Sequence, residues 1–315
     1  MSTGFPVFTA RDVELAVSPV RAVEAVSAAF VAHSRGEWTM PPKVYVTNYP
    51  AGDFRAMPAL GNGHALLKWV TSFPGNPARG LPTVSGLVLL SDAETGELKA
   101  LLDAGAVTAL RTGAAAVLAA ETLGRADAAT ASVIGAGVNG AAVARTFVAR
   151  GRPVVIWDVD AERARRVAGE LGASAAGSRE EALGADLLVT VTPGHEVLLG
   201  DGSLQPGQHV SLMGADGPGK AEISATELAR TRMFCDDWQQ ASHGGELAHA
   251  VEAGLVSQAD VGQLGAVLAG EATGRRDNRE ITTFDSTGLA IQDLAIALAA
   301  LERIADLPEL SRVAL

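Results

Sequence analysis

The sequence predicts an α/β fold: a doubly wound parallel sheet of the Rossmann type, preceded by an α+β section. Two observations support this prediction. From about residue 130 onward, short apolar runs alternate with segments of helical periodicity, which is typical of β–α–β units around a parallel sheet. Within that region the stretch "GAGVNG", residues 135–140, places three glycines between an apolar run and a helical run. The chain has 315 residues, which is comfortable for two domains.

The front section combines a helix with strands. Residues 9–33 have apolar residues at helical spacing, with Thr9 as an N-cap and Asp12 at the third helical position. Residues 38–60 predict two strands around the turn "YPAGD", and "HALLKWVTSF", from residue 64, predicts another. The turn "DAETGE" separates two further apolar runs and indicates a hairpin. A helical period then begins at "ALRTGAAAVLAAETLG".

The alternating section follows in regular order. We expect strands at 130–135, 153–158, 186–192, 208–213 and 232–236, with a short one near 174, and helices at 139–150, 161–171, 178–183 and 224–230. The tail "DSTGLAIQDLAIALAALERIA" predicts a long helix. Because this helix is apolar nearly all round, we expect it to pack on the first domain or on a partner subunit.

Composition excludes several classes of protein. The net charge is −11 and no long basic run is present, so nucleic-acid binding is not expected. A single cysteine, Cys235, cannot form an internal disulfide. The N-terminal residues lack the pattern of a signal peptide, and no run of eighteen uncharged apolar residues indicates a membrane span. We therefore expect a cytoplasmic protein without a membrane partner.

The glycine-rich turn has the context of a dinucleotide-binding loop. Gly135 permits the tight turn, Gly137 lets a pyrophosphate approach the backbone, and Gly140 allows the helix to pack closely on the strand. A helix beginning near Asn139 would point unpaired N–H groups at the phosphates. The alternative is a glycine turn that only connects a strand to a helix.

An acidic residue stands where the adenosine ribose would lie. Asp158 ends the next predicted strand, 21 residues after Gly137, and could accept hydrogen bonds from the ribose hydroxyls. It would also repel a 2′-phosphate, which favours NAD over NADP. Arg163 and Arg165 lie nearby in the sequence and leave that choice open.

Four cations lie in apolar surroundings in the front section. Lys43, Arg55 and Lys68 stand within strand-like segments, and Arg111 precedes a helix for which Thr112 is the expected N-cap. Because a buried cation needs a partner, four of them favour an anionic, carboxylate-bearing substrate. For each one, a solvated strand face or a structural ion pair is the alternative.

Two acidic segments follow later in the chain. Asp216 lies in the glycine-rich turn after the strand that ends at Met213, where a general acid or base could face the nicotinamide. An Asx-turn is the alternative. The segment "CDDWQQASHGGEL" contains Asp236, Asp237, His243 and Glu246, but lacks a close His–His or Cys–Cys pair, so no metal site is expected.

Seven segments together resemble the ornithine cyclodeaminase/μ-crystallin family, and within it the archaeal-type alanine dehydrogenases. They are "MPPKVYV", "GDFRAMPAL", "LKWVTSFPGNPARGLPTVSGLVLLSDAETGELKALLDA", "ALRTGAAA", "GADGPGKAEI", "DDWQQASHGGEL" and "ITTFDSTGLAIQD", and they run from about residue 40 to 293. The resemblance implies a homodimer of two-domain subunits. Residues 1–115 plus 291–315 would form the substrate-binding and dimerisation domain, and residues 116–290 an inserted Rossmann NAD-binding domain.

The resemblance also implies roles for single residues. Lys68 and Asp216 would be catalytic. Substrate binding would fall to Lys43, Arg55, Thr83 and Arg111. Cofactor binding would involve Thr112, Gly135, Gly137, Val138, Asn139, Asp158, Ser286 and Thr287.

Two departures from the family pattern bear on these roles. Asn139 replaces the glutamine usual after G-x-G-x, and Arg55 stands where ornithine cyclodeaminases carry a glutamate. An arginine would repel the distal amine of ornithine and suits a carboxylate instead.

We therefore expect an NAD-dependent amino-acid dehydrogenase of the L-alanine type, acting on a small 2-oxo acid and ammonia or on the corresponding amino acid or imine. The alternatives are an ornithine cyclodeaminase, a reductase of iminosuccinate or of a cyclic ketimine, and a non-catalytic binding protein.

Overall fold

The computed structural model describes residues 4–194, 196–217 and 219–314. By its internal packing the chain divides into two compact units. The first unit holds the chain up to Arg111 and again from Leu289, and the second holds Thr112–Gly288. The predicted boundaries, 115/116 and 290/291, lie four and two residues further along the chain.

The first unit is built on a seven-stranded mixed sheet. Its strands are β1 (Phe5–Phe8), β2 (Val44–Asn48), β3 (Gly52–Gly61), β4 (His64–Ser72), β5 (Val84–Asp92), β6 (Leu98–Asp103) and β15 (Ser311–Val313), in the order β15-β1-β6-β5-β4-β3-β2. Only β1 and β6 pair in parallel; the other neighbours are antiparallel. The strands predicted between residues 38 and 103 are confirmed, whereas the sequence analysis missed β1 and β15.

The N-terminal helical segment is two helices, and the prediction of one continuous helix over 9–33 is wrong. These are α1 (Ala10–Ala16) and α2 (Pro19–Ser34), which are bent by 82° at the break. Ser18 caps α2 and Pro19 occupies its first turn, because proline lacks the N–H that would continue α1. The Thr9 cap is confirmed, with Asp12 completing a capping box.

The next helix, α3 (Ala104–Leu123), begins earlier than predicted. The Asp103 carboxylate accepts a hydrogen bond of 2.7 Å from the Ala106 amide and so caps the start of the helix. Arg111 and Thr112 therefore lie in the middle of α3. The prediction that Thr112 is an N-cap and that Arg111 lies near a helix N-terminus is wrong.

One described helix, Ala104–Leu123, is long and apolar enough to cross a membrane, and 72% of its most apolar window is buried within the protein. The bent pair of α1 and α2 passes that test only if it is counted as one span. The core helix of a folded protein meets the same criteria, so this is weak evidence for a span, and the expectation of none stays a prediction.

The second unit is a doubly wound parallel sheet, so the predicted fold class is confirmed. Its strands are β7 (Ala131–Ile134), β8 (Val154–Trp157), β9 (Ser174–Ala175), β10 (Leu187–Thr190), β11 (His209–Leu212), β12 (Arg232–Cys235), β13 (Val261–Gln263) and β14 (Thr282–Asp285), in the order β13-β12-β14-β11-β10-β7-β8-β9. The helices are α4 (Val138–Ala149), α5 (Ala161–Leu171), α6 (Arg179–Leu183), α7 (Ala225–Ala229), α8 (Trp238–Gly244), α9 (Leu247–Glu252) and α10 (Leu264–Leu268).

The carboxyl ends of the central strands are in register. Ile134 lies opposite Thr190, which lies opposite Leu212, and Leu212 lies opposite Asp285. Cys235 is the partner of Asp285 on its other side. The loops that follow these strands therefore gather at one edge of the sheet, which is where open α/β sheets bind ligands.

The tail helix α11 (Ala290–Leu301) belongs to the first unit. Every residue from Ala290 to Ala300 is buried, and the helix packs against α2 and the sheet strands β3, β4 and β5. This confirms that the tail helix packs on the first domain. Its predicted start at residue 285 is wrong, because Thr282–Asp285 forms the central strand β14.

Candidate functional site

The glycine loop lies between β7 and α4 and has the geometry that a bound phosphate requires. Gly135 has φ of 105°, a conformation that favours glycine. A Cβ on Gly140 would lie 1.7 Å from the carbonyl oxygen of Gly135, so only glycine lets α4 pack so closely on the loop. A Cβ on Gly137 would meet nothing within 4 Å. The backbone at Gly137 is therefore open, and Val138 and Asn139 follow as the first residues of α4.

Asp158 holds this loop in place. Its Oδ2 accepts a 2.6 Å hydrogen bond from the Ala136 amide, and its Oδ1 accepts one of 2.8 Å from the Asp160 amide. Arg163 lies 3.4 Å from Oδ1 and offsets the negative charge. From the sequence, Asp158 was expected to contact the ribose; its carboxylate also supports the glycine loop.

Helix α3 contributes an unsatisfied hydroxyl. Thr112 is buried, and its Oγ1 has no hydrogen-bond partner. The next residue, Gly113, packs directly on α4: a Cβ there would lie 2.7 Å from the carbonyl oxygen of Ala142. A buried hydroxyl without a hydrogen-bond partner is unusual. The Thr112 hydroxyl is therefore available to donate a hydrogen bond to a bound ligand.

Ser286 and Thr287 follow β14 and are held by a residue that the sequence analysis did not single out for this role. Asp236 accepts hydrogen bonds from the Ser286 hydroxyl at 3.1 Å, the Thr287 hydroxyl at 3.3 Å and the Gly288 amide at 2.9 Å. The side chains of Asp236, Ser286 and Thr287 are all buried. Asp236 therefore fixes the turn that leaves the carboxyl end of β14.

A buried glutamate joins the ends of β10 and β11. Glu222 accepts hydrogen bonds from the Thr190 hydroxyl, the Thr192 amide and hydroxyl, and the Gly214 amide, all between 2.6 and 2.9 Å. The Glu246 carboxylate in turn accepts from the Glu222 amide at 2.9 Å. Burial raises the pKa of both carboxyls, and the Glu222 charge raises that of Glu246 further.

Glu222 was not predicted from the sequence as a residue of the site. The available signal was a carboxylate flanked by Ala221 and Ile223, a position where burial would require hydrogen-bond donors.

Asp216 lies on the loop that Glu222 closes. It follows β11 and is partly exposed, and its Oδ1 accepts a 2.6 Å hydrogen bond from Lys220 Nζ. The structure therefore places Asp216 at the carboxyl edge of the sheet, in an ion pair that the Asx-turn alternative did not include.

The acidic segment at 236–246 is used for structure. Asp237 caps α8, His243 Nδ1 lies 2.8 Å from the Gln239 carbonyl oxygen, and Glu246 supports the Glu222 amide. Among the described residues, no group of three or more potential ligands is arranged to hold a metal ion.

In the first unit, Lys68 is buried on the face of the sheet that packs against α11, which we call the inner face. Lys68 Nζ donates to both carboxylate oxygens of Asp293, at 2.9 and 3.0 Å, and to the Thr108 hydroxyl at 3.0 Å. Burial lowers the pKa of Lys68 to about 8, although Asp293 opposes the shift; the charges of Arg111 and Arg55 lower it further. An amine with this pKa can both give and take a proton near neutral pH.

Arg111 shares the same carboxylate. Its Nε lies 3.7 Å from Asp293 Oδ1, and this buried nitrogen has no hydrogen-bond partner. Lys68 and Arg111 together carry one more positive charge than Asp293 balances. The inner face of this unit therefore favours an additional anion.

Arg55 has a partner that the sequence argument did not include. Its Nε donates a 2.6 Å hydrogen bond to Asp53, two residues away on the same face of β3, and its guanidinium lies 5.3 Å from the centre of the Tyr45 ring. Both charged side chains are buried. The charge of Arg55 is thus balanced within the protein, so its sign alone does not repel a cationic substrate.

Lys43 and Thr83 stand at the ends of strands of the same sheet. Lys43 directly precedes β2 and is half-buried, and Thr83 directly precedes β5. The Thr83 carbonyl oxygen accepts a 2.8 Å hydrogen bond from the Phe73 amide.

Comparison with known proteins adds a family to this geometry. The family model described as "Ornithine cyclodeaminase/mu-crystallin family" matches residues 6–307. An alanine dehydrogenase from Archaeoglobus fulgidus is 42% identical over 300 residues, 92% of each chain. An iminosuccinate reductase from Paracoccus denitrificans is 33% identical over 308 residues, 91% of this chain and 92% of that one.

A solved structure of an archaeal alanine dehydrogenase, a dimer with bound NAD, superposes with a TM-score of 0.93 at 39% identity over 99% of both chains. The match in sequence and in fold spans both units. This chain belongs to the ornithine cyclodeaminase/mu-crystallin family.

Proposed function

We propose that this protein is an NAD-dependent oxidoreductase that interconverts a small 2-oxo acid and ammonia with the corresponding amino acid, as an alanine dehydrogenase does. The observation that carries the proposal is Lys68: a buried amine with a pKa of about 8, beside the unsatisfied Nε of Arg111. That pair suits a substrate with a carboxylate next to a reacting carbonyl or imine carbon. The similarity to alanine dehydrogenase over 92% of the chain supports it.

The residues of the second unit fit NAD. The open backbone at Gly137 and the start of α4 would hold the pyrophosphate, and Asp158 would meet the adenosine ribose. The unsatisfied Thr112 hydroxyl and the turn of Ser286 and Thr287 would complete the site, with Val138 and Asn139 at the start of the helix. When bound, the cofactor supplies or accepts the hydride at the imine carbon.

The protein's own residues would bind, orient and move protons. Arg111 and Lys43 would hold the substrate carboxylate, with Thr83 lining the pocket. Ammonia adds to the carbonyl carbon, and loss of water from that adduct leaves an imine. Lys68 and Asp216 would handle the protons of these steps, since one is an amine with a lowered pKa and the other a partly exposed carboxylate.

A cyclodeaminase is the second candidate, because Asp53 already balances Arg55. With Asp53 beside it, Arg55 would repel the distal amine of ornithine much less than an unpaired arginine would. A reductase of a larger imine with a second carboxylate is the third, and the similarity to iminosuccinate reductase favours it. A non-catalytic binding protein would need neither a buried lysine with a pKa of about 8 nor Asp216.

We also propose that the protein is a homodimer, joined through the outer face of the first unit's sheet. This outer face carries apolar side chains that a monomer would leave in water. Neighbouring strands align them in register, Leu87 opposite Trp69 and Leu67 opposite Pro58. The exposed members are Val44, Val46, Leu60, Leu67, Trp69 and Leu87. The related archaeal structure is a dimer, which supports a second copy as the occupant.

We place the protein in the cytoplasm. Its one cysteine, Cys235, is free and buried, and burial raises the pKa of the thiol far above its ordinary value, with the Asp236 charge adding to the effect. A chain without a possible internal disulfide suits a reducing compartment. Cell fractionation with an antibody to the protein would test this.

NADH absorbance measured with ammonia and pyruvate, glyoxylate or oxaloacetate tests the activity. Ammonia-dependent loss of NADH is expected, and the preferred acid reports whether one carboxylate or two are recognised. Ammonia release from ornithine with NAD, without net NADH change, would establish the cyclodeaminase instead. Asp216→Asn should bind NAD like the wild type but turn over at least about a hundredfold more slowly, as expected for loss of an acid–base group. Full activity in that variant would remove Asp216 from the reaction.

A further inference from the structure

A buried carboxylate on the tail helix has no part in the reaction as described above. Asp293 lies on α11 and is fully buried, in a run of residues from Ala290 to Ala300 in which only Gln292 and Asp293 are polar. Both of its oxygens accept from Lys68 Nζ, at 2.9 and 3.0 Å. Asp293 is thus the direct partner of the amine to which we assign proton transfer.

The other charges around Lys68 come from two elements. Arg111, on α3, contributes a cation 3.7 Å from Asp293, and Thr108 on the same helix accepts a hydrogen bond from Nζ. Arg55, on β3, contributes a second cation, which Asp53 balances. Asp293 is therefore the carboxylate that lies between Lys68 and Arg111 and offsets their positive charges.

This arrangement adds little to net stability. A buried ion pair costs much of its attraction in desolvation, so an apolar pair of similar size would stabilise the core at least as well. What the pair provides is a fixed position and a tuned charge for the amine. Burial alone would lower the pKa of an isolated lysine far below its ordinary value. An opposite charge within hydrogen-bond distance favours the protonated form and so counteracts that shift.

We propose that Asp293 is the positioning residue for Lys68: it holds the amine by two hydrogen bonds and keeps it protonated until the reaction takes the proton. This inference deepens the proposed function and rests on it for the role of Lys68. Asp293 acts through Lys68 and is not assigned any contact with the substrate.

The chain offers a direct measurement, because it has only four lysines: Lys43, Lys68, Lys99 and Lys220. Protein labelled with 13C-lysine shows one Cε resonance for each, and the Lys68→Arg variant identifies the one from Lys68. In the ligand-free wild type, this resonance should titrate near pH 8, since burial lowers the pKa of Lys68 to about 8. In Asp293→Asn its midpoint should fall by about one to three pH units, because the opposing charge is lost.

Asp53→Asn is the matched control. It also neutralises a buried aspartate of the same unit, but one that pairs with Arg55. The Lys68 midpoint should move far less in Asp53→Asn than in Asp293→Asn. Equal shifts in the two variants, or an unchanged midpoint in folded Asp293→Asn, would overturn the proposal.

Activity supplies a second reading. If Lys68 acts in its protonated form, the alkaline limb of the kcat/KM–pH profile in the reductive direction should move to lower pH in Asp293→Asn, by the same amount as the NMR midpoint, because both report the ligand-free protein. A uniform loss of kcat with an unshifted limb would show a merely structural role and overturn the proposal. A wild type that lacks all NADH-dependent activity would refute the proposed function, while the NMR titration would still decide the electrostatic role of Asp293.

Folding of the variant is itself informative. With Asp293 neutral, protonated Lys68 has no balancing charge, so the folded state binds its proton more weakly than the unfolded state does. The free energy of unfolding of Asp293→Asn should therefore rise with pH between the lowered pKa of Lys68 and its unfolded value. Denaturant unfolding at pH 7 and pH 10 measures this. Asp53→Asn, in which the pKa of Lys68 should stay near 8, should gain less stability over that range, and an equal gain in the two variants would count against the proposal.

Discussion

Two glycines of the same loop, only three residues apart, should respond in opposite ways to the addition of one methyl group. In Gly140→Ala the new Cβ would lie 1.7 Å from the Gly135 carbonyl oxygen and 3.2 Å from Val191 Cγ1. A Cβ atom essentially never approaches another heavy atom closer than 3.0 Å, so more than an ångström must be gained by moving the backbone. We expect a loss of about 3 kcal/mol in stability, at the upper end for overpacking, and a fall in Tm of about 6 °C or more.

In Gly137→Ala the new Cβ would meet nothing within 4 Å, and φ of −70° suits alanine. Its Tm should therefore equal or slightly exceed that of the wild type, since alanine restricts the unfolded chain. The methyl group would stand where the pyrophosphate approaches, so the Kd for NAD should rise at least about tenfold, or about 1.4 kcal/mol.

Thermal melting followed by circular dichroism and NAD titration calorimetry separate the two effects. Wild-type NAD affinity in Gly137→Ala would refute the assignment of this loop to the cofactor. A wild-type Tm in Gly140→Ala would refute the packing argument.

Two further predictions concern the first unit. Arg55→Met leaves Asp53 buried without its cation and should lower the free energy of unfolding, measured by chemical denaturation, by about 3–5 kcal/mol. Adding Asp53→Asn to this variant should restore most of that loss. In the double variant, an unchanged KM for pyruvate would exclude Arg55 from carboxylate binding. Leu87→Glu puts a charge in the middle of the outer sheet face, where Leu87 is 52% exposed, and should give a monomer in sedimentation velocity. Leu15→Glu, at a residue 63% exposed on α1, is the matched control and should remain dimeric; a dimeric Leu87→Glu would refute this interface.

Local pattern was enough for much of the fold. The alternation from residue 130 predicted the parallel sheet, and the glycine spacing located the β7–α4 turn, because both depend on backbone sterics within a few residues. The errors lie where neighbours override local preference. Thr282–Asp285 is a strand of the sheet interior, paired with β11 on one side and β12 on the other, but the helical pattern that follows it led to the assignment of Asp285 to the tail helix. Asp103 caps the start of α3 eight residues before Arg111. The helical pattern first recognised at "ALRTG" therefore lies inside α3 and does not mark its beginning.

The sequence by itself determined which chemistry-bearing residues are present and which family they indicate: a glycine loop, an acid after the second strand, and four cations in apolar segments. Only the tertiary structure decided how those charges are balanced. Arg55 is neutralised by Asp53, Lys68 by Asp293 from a helix 225 residues later, and Arg111 is left with an unsatisfied nitrogen. The reason is physical: desolvation makes a buried charge depend on whichever group lies within a few ångströms. Strand alternation supplies that group for Arg55, two residues away on the same face of β3, whereas long-range packing supplies it for Lys68.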